Sequence, residues 1–195
     1  MFLLGHIGIT IAIICLLTFL IAKYQSKIPK QTTFSMDIDF RIVIIAAIFP
    51  DIIDKIVGMI IFKEEIGSGR IFTHSMLVIG VISIFSIILY RLNFGHFLRT
   101  LFYISPLWIH LLLDRMWETP KVLFWPTFGI SFPRVDVEFS DFFTILVSNP
   151  YILTGEILGS LIIFTIIIRY RLYVKERFFN FIKNGKLKLW LITKQ

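Results

Sequence analysis

The chain has 195 residues, of which 56% are hydrophobic and 17% charged, and its formal net charge is +7. Soluble domains carry about 45–50% apolar and about 25% charged residues. This composition therefore excludes an ordinary water-soluble domain and favours a membrane protein. A single cysteine, Cys15, excludes an intrachain disulfide.

Five apolar segments are long enough to cross a bilayer, which takes about 20 residues. Because unpaired backbone groups are costly in lipid, we expect each segment to be helical. The segments cover roughly residues 3–22, 41–62, 72–90, 98–116 and 150–169. We predict an all-α, polytopic membrane bundle of about five transmembrane helices, which occupies residues 1–170.

Two of these segments carry special features. The first lacks the basic n-region and the cleavage site of a secretion signal, so we expect it to be retained with its His6. The second contains Pro50, which removes a backbone hydrogen bond. We expect that helix to be broken at Pro50.

The fifth segment is followed by a basic tail. Residues 169–195 contain eight lysines and arginines, several aromatic residues and one acid. Directly after a membrane helix, this composition favours an amphipathic segment on anionic lipid headgroups over a nucleic-acid partner. We predict a cytoplasmic tail at residues 171–195.

The distribution of basic residues predicts the orientation. The loops at residues 23–41 and 91–99 are basic, like the tail, whereas those at 63–71 and 117–149 have few basic residues. Under the positive-inside rule, the basic loops are cytoplasmic. The chain is then an integral membrane protein with its N-terminus outside and its C-terminus in the cytoplasm.

Eight ionisable residues within or beside the segments fall in the outer half of the predicted bundle. Such residues usually mark a functional site in a membrane protein. They are His6, Asp51, Asp54, Arg70, His74, His110, Asp114 and Glu156. Residues three or four apart share a helix face, which predicts that His110 and Asp114 point the same way.

Histidines and carboxylates on neighbouring helices make a mixed nitrogen and oxygen ligand set. This set suits a divalent transition metal such as zinc, manganese or iron. A metal held in this way assists hydrolysis, and Arg70 would supply a cation for a phosphate. The role of Glu156 stays open between a structural one, in which it caps a kink or forms a hydrogen bond beside Gly155, and a part in the site.

Four motifs occur in a characteristic order: "GH" at 5–6, "FPDIIDK" at 49–55, "RIFTHSML" at 70–77 and "HLLLDRMWETPKVLFWP" at 110–126. Together they resemble the YdjM-like family of inner-membrane-associated proteins, described as metal-dependent hydrolases. The resemblance covers roughly residues 5–126. A distant likeness to the helical zinc-dependent phospholipase C and P1 nuclease fold favours phosphoester substrates.

The resemblance implies roles for individual residues. It implies that the metal ligands are His6, Asp51, His74, His110 and Asp114. Asp54 would orient a ligand or act as a base, and Arg70 would contact the substrate. Family members often have histidines where this chain has Gly69 and Lys55, which favours one metal over two. The implied substrate is an amphiphilic phosphoester, such as a phospholipid or polyprenyl phosphate, at the extracytoplasmic face.

Three alternatives remain. A metal-free lipid phosphatase would also use His-x-x-x-Asp, but it needs an arginine where this chain has Ile104. A small transporter or ion-binding protein would use carboxylates on a broken helix, although its site should lie near the membrane midplane. A non-catalytic membrane partner with a degenerate site is the third.

Overall fold

The computed structural model describes residues 1–25, 37–90, 94–135 and 141–187. Within these ranges the regular structure is entirely helical, which confirms the predicted all-α class. The helices are α1 Leu3–Gln25, α2 Phe40–Lys55, α3 Met76–Tyr90, α4 Phe94–Leu113, α5 Pro120–Leu123, α6 Asp141–Ser148, α7 Pro150–Arg169 and α8 Lys175–Asn184. A π-helix, Ile56–Ile61, continues α2, and short 3₁₀ turns are formed by Phe72–His74 and Met116–Glu118.

Two described helices, α1 and α7, are long and apolar enough to cross a membrane. Two further apolar stretches, Met76–Leu89 and Phe97–Leu113, are shorter. The predicted number of five spans therefore stays a prediction. Of the basic loops used to orient the chain, Lys27 and Lys30 lie outside the described residues, as do residues 188–195 of the tail.

The prediction that segment two breaks at Pro50 is wrong. The α-helix runs through Pro50 to Lys55 and changes to π geometry only at Ile56. Side chains from other elements bond to the helix carbonyls around the proline. His110 Nδ1 lies 2.7 Å from the carbonyl oxygen of Ala47, and the Thr73 hydroxyl donates to that of Pro50 at 2.9 Å. The missing amide of Pro50 removes the helix donor of the Ala46 carbonyl, so these two bonds are additional tertiary contacts that join α2 to the turn before α3 and to α4.

Helices α1 and α7 run side by side at very close range. A β-carbon built on Gly8 would lie 2.2 Å from the carbonyl oxygen of Gly159, so only glycine permits this approach. Glu156 accepts hydrogen bonds from the backbone amides of Phe2, Leu4 and Gly5, at 2.8, 3.1 and 3.0 Å. It therefore caps the first turn of α1, which carries His6.

The opposite end of the bundle carries α8. Arg41 donates to the carbonyl oxygens of Ile182 and Lys183, at 2.6 and 2.9 Å, and also bonds to Asp39. Phe181 packs against an apolar cluster that includes Ile14, while Phe178 and Phe179 are exposed. The tail helix is therefore attached to the bundle along one side and leaves another apolar side uncovered.

Candidate metal centre

Four buried side chains converge at the end of the bundle away from α8. Asp51 comes from α2, His74 from the turn before α3, His110 from the last turn of α4, and Asp114 directly follows that helix. One possible ligand atom from each lies within 4.8 Å of all the others. The Nε2 atoms of the two histidines are 3.2 Å apart, and carboxylate oxygens of Asp51 and Asp114 lie 3.7 and 3.5 Å from His74 Nε2.

Hydrogen bonds on the far side of each imidazole determine where its proton sits. The carbonyl of Ala47 can only accept, so His110 Nδ1 carries a proton and donates it. His74 Nδ1 lies 2.7 Å from Asp54 Oδ2 and likewise donates. In neutral rings, both Nε2 lone pairs then face each other beside two carboxylates. A cation among these four ligand atoms would relieve their repulsion, and two imidazoles with two carboxylates are a ligand set that divalent transition metals accept.

Asp54 holds His74 in place. It is fully buried and accepts from the backbone amides of Ile71, Thr73 and His74, at 2.7, 3.0 and 3.2 Å. These bonds fix the non-helical stretch before α3, which is why α3 begins at Met76 rather than near residue 72. A carboxylate behind a metal-facing histidine is the arrangement that orients such ligands in metalloproteins.

Asp114 collects cationic and donor groups on both oxygens. His6 Nε2 lies 3.0 Å from Oδ1, and Arg70 Nε donates to Oδ2 at 2.9 Å. The amino group of Met1 also lies 2.5 Å from Oδ1. His6 stacks on His110 with ring centroids 4.0 Å apart, so it packs behind two members of the four-residue group without joining it.

The turn after α4 fixes the position of Asp114. The backbone continues helically to Asp114, whose amide bonds to the carbonyl of His110 at 2.9 Å. Arg115 then adopts a left-handed conformation, with φ of 53°, and lies over the Tyr151 ring at 5.2 Å. The Tyr151 hydroxyl donates to the carbonyl of Leu113 at 2.7 Å, which joins the end of α4 to the start of α7.

The sequence predicts that seven site residues lie near one another. The structure does bring them together, but they fall into two sets with different contacts. Four form the convergent group, whereas His6, Asp54 and Arg70 contact its members. The sequence left Glu156 open, and the structure assigns it to capping α1. The prediction from the sequence did not include Lys55 in the site, although its Nζ lies 3.1 Å from Asp51 Oδ2. The spacing of four residues between Asp51 and Lys55 was the available signal.

Comparison with known proteins identifies the family to which the chain belongs. The family model described as YdjM inner membrane protein matches residues 1–178. The chain belongs to the YdjM family. The match confirms the resemblance in the four motifs and extends it through α7 into α8, beyond the residues covered by those motifs. Neither the curated proteins nor the solved structures contain a significant match.

Proposed function

We propose that this YdjM-family chain is a zinc-dependent hydrolase of the inner membrane that cleaves a phosphoester of an amphiphilic lipid at the extracytoplasmic face. The observation that carries the proposal is the convergence of Asp51, His74, His110 and Asp114 within 4.8 Å. Manganese and iron accept the same donors. We propose that each chain binds one metal ion at this group.

The distribution of surface residues supports a membrane-embedded bundle of five spans. Large apolar side chains are exposed along α1, α3 and α7, including Leu16, Phe85 and Leu161. Such extensive apolar surface marks contact with lipid or a partner. The four-residue group, called the donor group below because its members would donate ligand atoms to a metal, lies at one end of the bundle. Lys23, Arg41 and Arg169 lie at the other end. With the basic end in the cytoplasm, the donor group faces outward.

Each residue has a distinct role in the proposed reaction. Asp51, His74, His110 and Asp114 hold the metal, and Asp54 orients His74. His6 supports Asp114, while Arg70 has a side chain 42% exposed and offers guanidinium donors to a phosphate. Zinc held by these residues would supply Lewis acidity, and such a metal lowers the pKa of its bound water to about 7.

Metal analysis of the purified protein together with a panel of lipid phosphates tests the proposal. We expect about one zinc per chain, and a loss of both metal and activity in His110→Ala with Asp114→Ala. Glu65→Ala, at an exposed acid away from the group, is the matched control. A chain without stoichiometric transition metal, whose stability the double substitution leaves unchanged, contradicts the proposal.

The other results identify the alternatives. Stoichiometric metal without hydrolysis of any lipid phosphate favours an ion-binding protein or transporter. Absence of both metal and hydrolysis favours a non-catalytic partner, in which a proton on His74 Nε2 takes the place of the cation between the donors.

A further inference from the structure

A cavity of about 290 Å³ opens beside the candidate metal centre. Its lining includes Asp51 of the convergent group, together with Lys55 and Arg70. Small-molecule pockets usually measure about 300–1,000 Å³. The cavity therefore suits a compact head group and a short length of one hydrocarbon chain.

The charged side of the cavity carries two cations. Lys55 donates to Asp51 and Arg70 to Asp114, and their side chains remain 39% and 42% exposed. An ammonium group has three donors and a guanidinium group has five, so these bonds leave donors for an anion. Gly69 keeps this side open, because a β-carbon there would lie 3.3 Å from Lys55 Cγ and 2.9 Å from Met59 Sδ.

Apart from Ser68 and Thr119, the side chains of the remaining lining are apolar, and they come from elements far apart in the sequence. Met59 comes from the π-helix, Val122 from α5, Ile145 from α6 and Ile152 from α7. Val135 also lines the cavity, and its amide bonds to the carbonyl of Gly67 at 2.8 Å. Between α4 and α7, the described residues Val122, Val135 and Ile145 thus add apolar side chains to the cavity lining.

We propose that the cavity binds a single-chain amphiphile with a terminal phosphate. The phosphate lies between Lys55 and Arg70, and the first part of the hydrocarbon chain lies along the apolar wall. This inference rests on the proposed function and deepens it. It adds Lys55 as a substrate-positioning residue and assigns Val122, Val135 and Ile145 to recognition of the hydrocarbon chain.

Binding of decylphosphonate, which has no hydrolysable ester, tests the assignment against decanol as the neutral ligand. The zinc-loaded protein is placed in phosphatidylcholine nanodiscs, and empty nanodiscs correct for partitioning. We expect the wild type to prefer decylphosphonate at least about tenfold, because charge-assisted hydrogen bonds are the strong ones. Lys55→Met should lose about tenfold in decylphosphonate affinity, and Lys55→Arg should retain it. The exposed Lys121, outside the cavity, provides the control Lys121→Met.

The decisive outcomes are separable from those of the proposed function, because metal content is measured on the same samples. Stoichiometric zinc with equal wild-type affinities for the two ligands overturns the cavity assignment and leaves the metal centre standing. Equal losses in Lys55→Met and Lys121→Met also overturn it. Absence of zinc with a preference that still depends on Lys55 contradicts the hydrolase and keeps the anion site. Should Lys55→Met fail to fold, the wild-type comparison is repeated on zinc-free protein, where the metal cannot supply the preference, and equal affinities for the two ligands there overturn the assignment.

Discussion

At the scale of single residues, His74 and His110 of the four-residue group each have a hydrogen-bond acceptor at Nδ1. Asp54 accepts hydrogen bonds from one imidazole and three backbone amides. A single carboxylate therefore sets the tautomer of His74 and also fixes the backbone of the turn that carries His74. His110 relies instead on a backbone carbonyl, that of Ala47. The acceptor of His74 is a side chain, whereas that of His110 belongs to the backbone. Only the acceptor of His74 can therefore be removed by a substitution that leaves both histidines in place.

We expect Asp54→Asn to weaken zinc binding by about 10–100-fold, as substitutions behind metal ligands usually do. The amide keeps the shape of the side chain but provides only one acceptor oxygen for four donors. Competition with a chelator of known affinity measures the effect, and Glu65→Gln serves as the exposed control. Unchanged zinc affinity in Asp54→Asn would show that Asp54 does not orient a ligand.

At the scale of helices, the contact between α1 and α7 positions one side of the centre. Glycines on both helices allow the backbones to touch, and the cap by Glu156 fixes the first turn of α1 beside α7. His6 lies on that turn and faces Asp114 at 3.0 Å. A small separation of the two helices therefore reaches the metal ligands through His6.

Gly8→Ala should push α1 away from α7, since its β-carbon would meet the backbone of Gly159 at 2.2 Å. We expect a loss of about 1–3 kcal/mol in the free energy of unfolding, as for other overpacked interiors. Gly80→Ala is a matched control, because no atom lies within 4 Å of a β-carbon built there. That control should be neutral or stabilising, by up to about 1 kcal/mol. Equal effects on thermal unfolding in detergent would rule out close helix packing as the cause.

The attachment of α8 should weaken in acid. The hydrogen bond from Arg41 holds the pKa of Asp39 below its usual range, and Arg41 also bonds to the last carbonyls of α8. A carboxyl with a depressed folded-state pKa stabilises the fold above its unfolded value of about 3.9, and this contribution is lost as the pH falls through the folded-state pKa.

Between pH 6 and pH 3, the melting temperature of the wild type should therefore fall further than that of Asp39→Asn. Asp37→Asn is the control, because Asp37 only pairs with Lys186 on the surface, where ion pairs contribute little. A pH dependence that is the same in Asp39→Asn and in the wild type would refute this account of how α8 is attached.

At the scale of the whole molecule, the helical class and the family follow from composition and motifs, whereas details set by contacts between distant residues do not. Hydropathy gives the apolar helices, and α7 begins and ends where the fifth segment does. The side-chain hydrogen bonds beside Pro50 come from Thr73 and His110, more than 20 residues away along the chain. Capping of α1 by Glu156 joins residues more than 150 positions apart, which no local pattern reveals.

The two ends of the bundle differ in chemistry, and this difference predicts how the chain sits in the membrane. Lys63 follows the π-helix at the end that carries the donor group, whereas Lys175 begins α8 at the basic end. Both residues are exposed. If the basic end is cytoplasmic, as the positive-inside rule predicts, a cysteine at position 63 faces outward and one at position 175 faces inward.

We expect a membrane-impermeant maleimide to label Lys63→Cys in intact spheroplasts, and Lys175→Cys only after the membrane is opened. Cys15→Ser in both variants removes background labelling, since Cys15 is the only native cysteine. The reversed labelling pattern would place Asp51, His74, His110 and Asp114 on the cytoplasmic side. The site would then reach phosphoesters of the cytoplasmic leaflet instead of the outer one. Labelling of both positions in intact spheroplasts would contradict an odd number of spans between them.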